Sequence, residues 1–88
     1  MGAHSKKNIL IVEDDLKLNN GIRLALKGPE YDCIQCDCVS SGREAVQKEN
    51  IHLILLDINL PDGNGLDWLT EIRQKSGVPV ILISANNM

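Results

Sequence analysis

Two acidic stations stand out in this 88-residue chain, Glu13-Asp14-Asp15 and Asp57. Each closes a run of aliphatic residues, 9–12 in the first case and 53–56 in the second. An ionised acid at the edge of a core is costly unless something pairs with it. If the two stations meet, Glu13, Asp14 and Asp57 repel one another, and a hard divalent cation resolves the repulsion. Mg2+ suits such a place because it takes oxygen ligands in an octahedron and keeps several waters. A carboxylate held beside that ion can also act as a nucleophile, as in aspartyl-phosphate chemistry. The competing explanation is capping, since acids after a strand favour the positive end of the next helix. Asp15 suits that role. Asp57 does not, because it closes a buried run instead of opening a helix.

The elements that must position these acids follow from changes in hydrophobic period. Residues 8–13, NILIVE, read as a short buried strand. From Asp15 the period becomes helical, with Leu18, Ile22 and Leu26 on one side, until Gly28-Pro29 stops it. Residues 31–39 alternate well enough for a second strand, and a helix capped by Ser40 or Ser41 runs to about Glu49. Residues 51–57 form a third strand. A third helix follows the turn-rich loop, with Leu66, Leu69 and Ile72 as its apolar stripe and Gly77 closing it. Residues 78–84, VPVILIS, are the fourth strand. Strands alternating with helices in this way predict a parallel sheet covered by helices, joined by right-handed crossovers. Ligands of such sheets sit beyond the carboxyl ends of the strands, which is where Glu13, Asp14, Asp57 and Ser84 fall.

Composition narrows the class of function. The chain is long enough for a single domain, with 43% hydrophobic and 24% charged residues and no Phe, so its core is aliphatic. A net charge of -3 gives no electrostatic reason to bind nucleic acid directly. No apolar run is long enough to span a membrane or to serve as a signal peptide, and a cytoplasmic location is expected. The opening MGAHS reads as a cloning remnant, with the domain proper over residues 6–88. Cys33, Cys36 and Cys38 have a C-x2-C spacing, but zinc wants a second pair and only His52 stands as a distant partner. Reduced thiols packed beside the core are the preferred reading, and Trp68 and His52 are taken as packing residues.

Three stretches in order, ILIVEDD, LILLDINLPDGNGL and VPVILISA, resemble the receiver domains of bacterial two-component response regulators. The wording is most similar to that of winged-helix, OmpR-like transcriptional regulators. The resemblance implies the flavodoxin-like (CheY-like) doubly wound α/β fold, here with about four strands in the order 2-1-3-4 and three helices. It further implies that Asp57 is the phosphoacceptor and that Glu13, Asp14, Asp57 and the Asn59 main-chain carbonyl hold Mg2+. Ser84 would be the hydroxyl that bonds the phosphoryl group, while Pro61 and Gly63 shape the loop and Gly65 lets the third helix begin. The implied donor is a sensor histidine kinase, and DNA would be reached only through an output domain. On this resemblance the chain is a phosphoacceptor signalling domain and not an enzyme in the ordinary sense.

A receiver is expected to have five strands and five helices. The chain stops after the fourth strand, so the last two helices and the fifth strand, with its lysine, are expected to be absent. VPVILIS then becomes an apolar edge strand, and a homo-oligomer formed by edge pairing or domain swapping is expected. Two other readings compete. A magnesium-dependent phosphatase with an Asp nucleophile needs a second acid two residues on, where Asn59 stands. A chemically silent interaction unit is the other, and Asp57→Asn separates it from a phosphoacceptor.

Overall fold

The structure, a computed structural model, describes residues 6–83. Its elements are β1 (Lys7–Val12), α1 (Leu16–Leu26), β2 (Tyr31–Cys36), α2 (Val39–Lys48), β3 (Leu53–Asp57), β4 (Asn59–Leu60), β5 (Gly63–Asn64), α3 (Gly65–Lys75) and β6 (Val80–Ile83). The main sheet has the order β2-β1-β3-β6, and all three pairings are parallel. This is the expected 2-1-3-4 order. β1 and β3 are therefore neighbours, in a register that sets Val12 beside Leu56.

Alternation along the strands sorts the side chains between two faces. Leu10, Val12, Ile54 and Leu56 point to one face, where Val39 of α2 and Trp68 and Ile72 of α3 complete the buried core. Ile9 and Ile11 point to the other, and there Leu26 of α1 shares a groove with Ile9, Leu53, Leu55 and Ile81. Removing these aliphatic side chains from water is the main favourable term in folding, at about 25 cal/mol per Å². At the amino end of the strands His52 stitches β1 to the segment before β3. Its main-chain N–H donates to the Asn8 carbonyl (2.9 Å), and its Nδ1 accepts the Asn8 N–H (2.9 Å).

Several local expectations change. β2 ends at Cys36 and not at Val39, because Val39 turns into the core as the first residue of α2. Neither Ser40 nor Ser41 caps that helix. Cys38 holds the cap position without a side-chain cap bond, and Asp62 from the distant β4–β5 turn serves instead. Its Oδ1 accepts the Val39 N–H at 2.8 Å and its Oδ2 the Ser40 N–H at 2.9 Å. In α3 the buried residues are Gly65, Trp68 and Ile72, while Leu66 is exposed. The bulky indole takes the place assigned to Leu66. β3 starts at Leu53 and β6 at Val80, each two residues later than expected. The loop after Asp57 also contains an antiparallel ribbon, β4–β5, that alternation could not reveal in two-residue strands.

Candidate metal centre

The acids are delivered by the ends of two adjacent strands. Val12 is the last residue of β1, so Glu13 and Asp14 emerge beyond its carboxyl end, and Asp57 is the last residue of β3. One carboxylate oxygen from each of Glu13, Asp14 and Asp57 lies within 4.8 Å of the others. Glu13 is fully buried and Asp57 is 4% exposed, whereas Asp14 faces solvent. The third acid, Asp15, turns away to cap α1, accepting the Lys17 and Leu18 N–H groups at 3.1 and 3.2 Å. That matches its expected role.

The loops around the acids are tightly held. The Asp15 N–H donates to Glu13 Oε2 at 2.9 Å, which ties the Glu13 side chain to the backbone two residues on. The Asn59 N–H donates to Asp57 Oδ1 at 3.4 Å, a long contact across the turn leaving β3. Gly65 closes that turn: its N–H donates to the Ile58 carbonyl at 2.7 Å. A Cβ at this position would collide with the Asp57 carbonyl oxygen, so any side chain here would push the backbone of Asp57 out of place. Gly65 therefore does more than let α3 begin. Pro61 and Gly63 flank Asp62 in the turn between β4 and β5.

Electrostatics at the centre are unfavourable without a cation. Burial, above all, pushes the Glu13 carboxyl up to about 7 from an ordinary 4.5, and the Asp57 and Asp14 carboxylates add to the rise. The Asp15 N–H opposes it. Glu13 Oε1 is a buried oxygen with no hydrogen-bond partner among the described residues. Buried polar atoms are rarely left so, and a cation bound at the centre would give this oxygen a partner. The donor set is entirely oxygen and partly open to water, as a hard ion that keeps several waters requires. The residues present fit Mg2+.

Ser84 lies outside the described residues; Ile83, the residue before it, pairs with Asp57 across β3 and β6. Cys33, Cys36 and Cys38 are free and half-buried. Burial raises the Cys33 and Cys36 thiols above the ordinary value, which disfavours the reactive thiolate. Sequence reasoning missed Asn19, whose buried amide bonds the Glu13 carbonyl. A buried polar residue at an α1 position facing the sheet was the available signal. It also missed Asp62 as the cap of α2, for which no local signal exists.

The comparisons with known proteins give the family and the fold. The family model described as response regulator receiver domain matches residues 9–88. The KDP operon transcriptional regulatory protein KdpE of Escherichia coli is 36% identical over 80 residues, covering 91% of this chain and 36% of that protein. The chain thus spans about a third of the length of the curated relatives it matches. Among solved structures, the MaeR response regulator bound to beryllium trifluoride aligns with a TM-score of 0.78 at 36% identity, covering 93% of this chain and 70% of that one. A CheY-like response regulator receiver domain protein from Methanospirillum hungatei gives 0.85 at 27%, with 96% and 68% covered. No described helix is long and apolar enough to cross a membrane.

Proposed function

This chain belongs to the response regulator receiver domain family, and from that premise we propose that it takes a phosphoryl group from a sensor histidine kinase onto Asp57. The carrying observation is the convergence of Glu13, Asp14 and Asp57 within 4.8 Å at the carboxyl ends of two neighbouring parallel strands. Asp57 is the nucleophile. One of its carboxylate oxygens forms the bond to phosphorus while the P–N bond to the kinase imidazole breaks and the imidazole keeps the electron pair. Asp14 and Glu13, with Asp57 and the Asn59 main-chain carbonyl, would hold Mg2+. When bound, that ion offsets negative charge on the transferring group, which is most of what phosphoryl transfer asks for. Ser84 supplies a hydroxyl to the phosphoryl group. The modified site then biases a two-state element elsewhere in the domain.

The wider role is that of the input module of a cytoplasmic transcriptional regulator, with DNA bound by an output domain. The similarity to a transcriptional regulatory protein of about three times the matched length supports it. Self-association is part of the same proposal. β6 is the outer strand of the described sheet, and Ile81 and Leu82 on it are 52% and 40% exposed.

Intact-mass measurement after incubation with acetyl phosphate tests the chemistry. One phosphoryl group should be added in Mg2+, none in EDTA, and none to Asp57→Asn. A chain that stays unmodified while a full-length regulator is labelled in parallel would instead be a chemically silent interaction unit.

A further inference from the structure

Building on the magnesium reading above, we infer that Asn19 is a positioning residue for the metal-binding acids, clamping the backbone from which Glu13 and Asp14 project. Asn19 lies in α1 and is only 2% exposed. A buried amide in a helix face is costly unless all its hydrogen-bonding groups are used. Here they are. Its Nδ2 donates to the Glu13 carbonyl at 2.9 Å and to the Cys36 carbonyl at 3.0 Å. Its Oδ1 accepts from Gln35 Nε2 at 2.8 Å, and the same Gln35 nitrogen reaches Asn20 Oδ1 at 2.8 Å. The Gln35 bond leaves the Asn19 amide one orientation, with its NH2 group toward the two carbonyls.

Those carbonyls sit where the sheet stops and the metal loop begins. Cys36 is the last residue of β2 and Glu13 the first after β1. The Cys36 carbonyl also accepts the Glu13 N–H at 3.0 Å. Both main-chain polar groups of Glu13 are therefore held by one cluster, and its Oε2 is held by the Asp15 N–H. Oε1 is the atom left over. Repulsion among three carboxylates tends to splay the loop that carries two of them, and the Asn19 clamp opposes that movement. An apolar side chain at position 19 would stay buried against the sheet but would take the donors from the Glu13 and Cys36 carbonyls and leave the loop free to open.

Calorimetric titration of the protein with Mg2+ alone separates this role from simple stabilisation. Asn19→Leu keeps the helix and the burial while removing both donors. Its Mg2+ dissociation constant should rise about tenfold or more, the usual effect of losing a group that orients metal ligands, with an unchanged circular dichroism spectrum. Asn20→Ala, which loses only a Gln35 contact, should bind as the parent does. If Asn19→Leu fails to fold, Gln35→Ala, altered at an exposed side chain, should still weaken binding several-fold. A folded Asn19→Leu, or in its place Gln35→Ala, with the parent's dissociation constant overturns the inference. Asp14→Asn guards the underlying reading: loss of binding there beside normal binding in Asn19→Leu refutes the clamp and leaves the metal site standing. A parent protein that takes up no Mg2+ refutes both.

Discussion

Glu13 has both carboxylate oxygens out of water, one held by a backbone N–H and the other by nothing described. Its carboxyl sits at about 7 because burial, and then the neighbouring acids, favour the proton. The folded state therefore binds that proton more tightly than the unfolded chain does. The contribution to stability is complete below the unfolded value near 4.5 and is lost as pH rises through about 7. Mg2+ has to displace the same proton. Magnesium affinity should accordingly strengthen between about pH 6 and about pH 8, because ligand deprotonation and metal uptake are linked. The rise in melting temperature caused by Mg2+ should be larger at the higher pH, and Glu13→Gln should flatten the difference. A pH-independent shift in the parent would contradict the linkage.

At the scale of elements, two contacts join α2 to α3. The first is packing. A Cβ on Gly42 of α2 would lie 2.7 Å from Trp68 Cη2 and 3.2 Å from Val12 Cγ2, so the glycine lets the indole slide between α2 and β1. Gly42→Ala should cost about 1–3 kcal/mol in urea denaturation, the range for overfilling a packed site, and should shift the emission of Trp68, the sole tryptophan, to the red. An alanine variant as stable as the parent would show that the indole has another place to go. The second contact is polar: Arg43 of α2 forks onto Glu71 of α3, with Nε–Oε2 at 2.8 Å and Nη2–Oε1 at 2.9 Å. Together with the Asp62 cap it ties the loop after Asp57 to both helices. The Asp62 carboxyl is held below the usual range by the Ser40 and Val39 N–H groups.

At the scale of the whole molecule, the two faces of the sheet are covered unequally among the described residues. One face carries the core under α2 and α3. The other has α1 across β1 and β2 and an open apolar groove of about 570 Å³ along Ile9, Leu53, Leu55 and Ile81. β6 presents a free edge among the described strands. Unpaired, apolar edges template pairing with another chain, and a charged residue on the edge prevents it. Light scattering across a concentration series should find a dimer or larger species, and Ile81→Lys should return it toward a monomer. A parent chain that scatters as a monomer throughout would refute self-association by this route.

The strand–helix alternation, the parallel sheet and the two acidic stations were legible in the residues because buried parallel strands and amphipathic helices have distinct periods. Asp57 announced itself by ending a buried run on a charge, and Asp15 by standing at a helix start. Tertiary structure alone decided what depends on distance in space. Chain order by itself does not say that β1 and β3 lie side by side; the family resemblance implied it, and the register in space makes three separate carboxylates one site. It does not say that Asp62 caps a helix 22–23 residues earlier in the chain, that Gly65 must be bare because the Asp57 carbonyl lies against it, or that Asn19 reaches across two strand ends. Periodicity reports which way a side chain faces; only packing brings its partner from another element within reach.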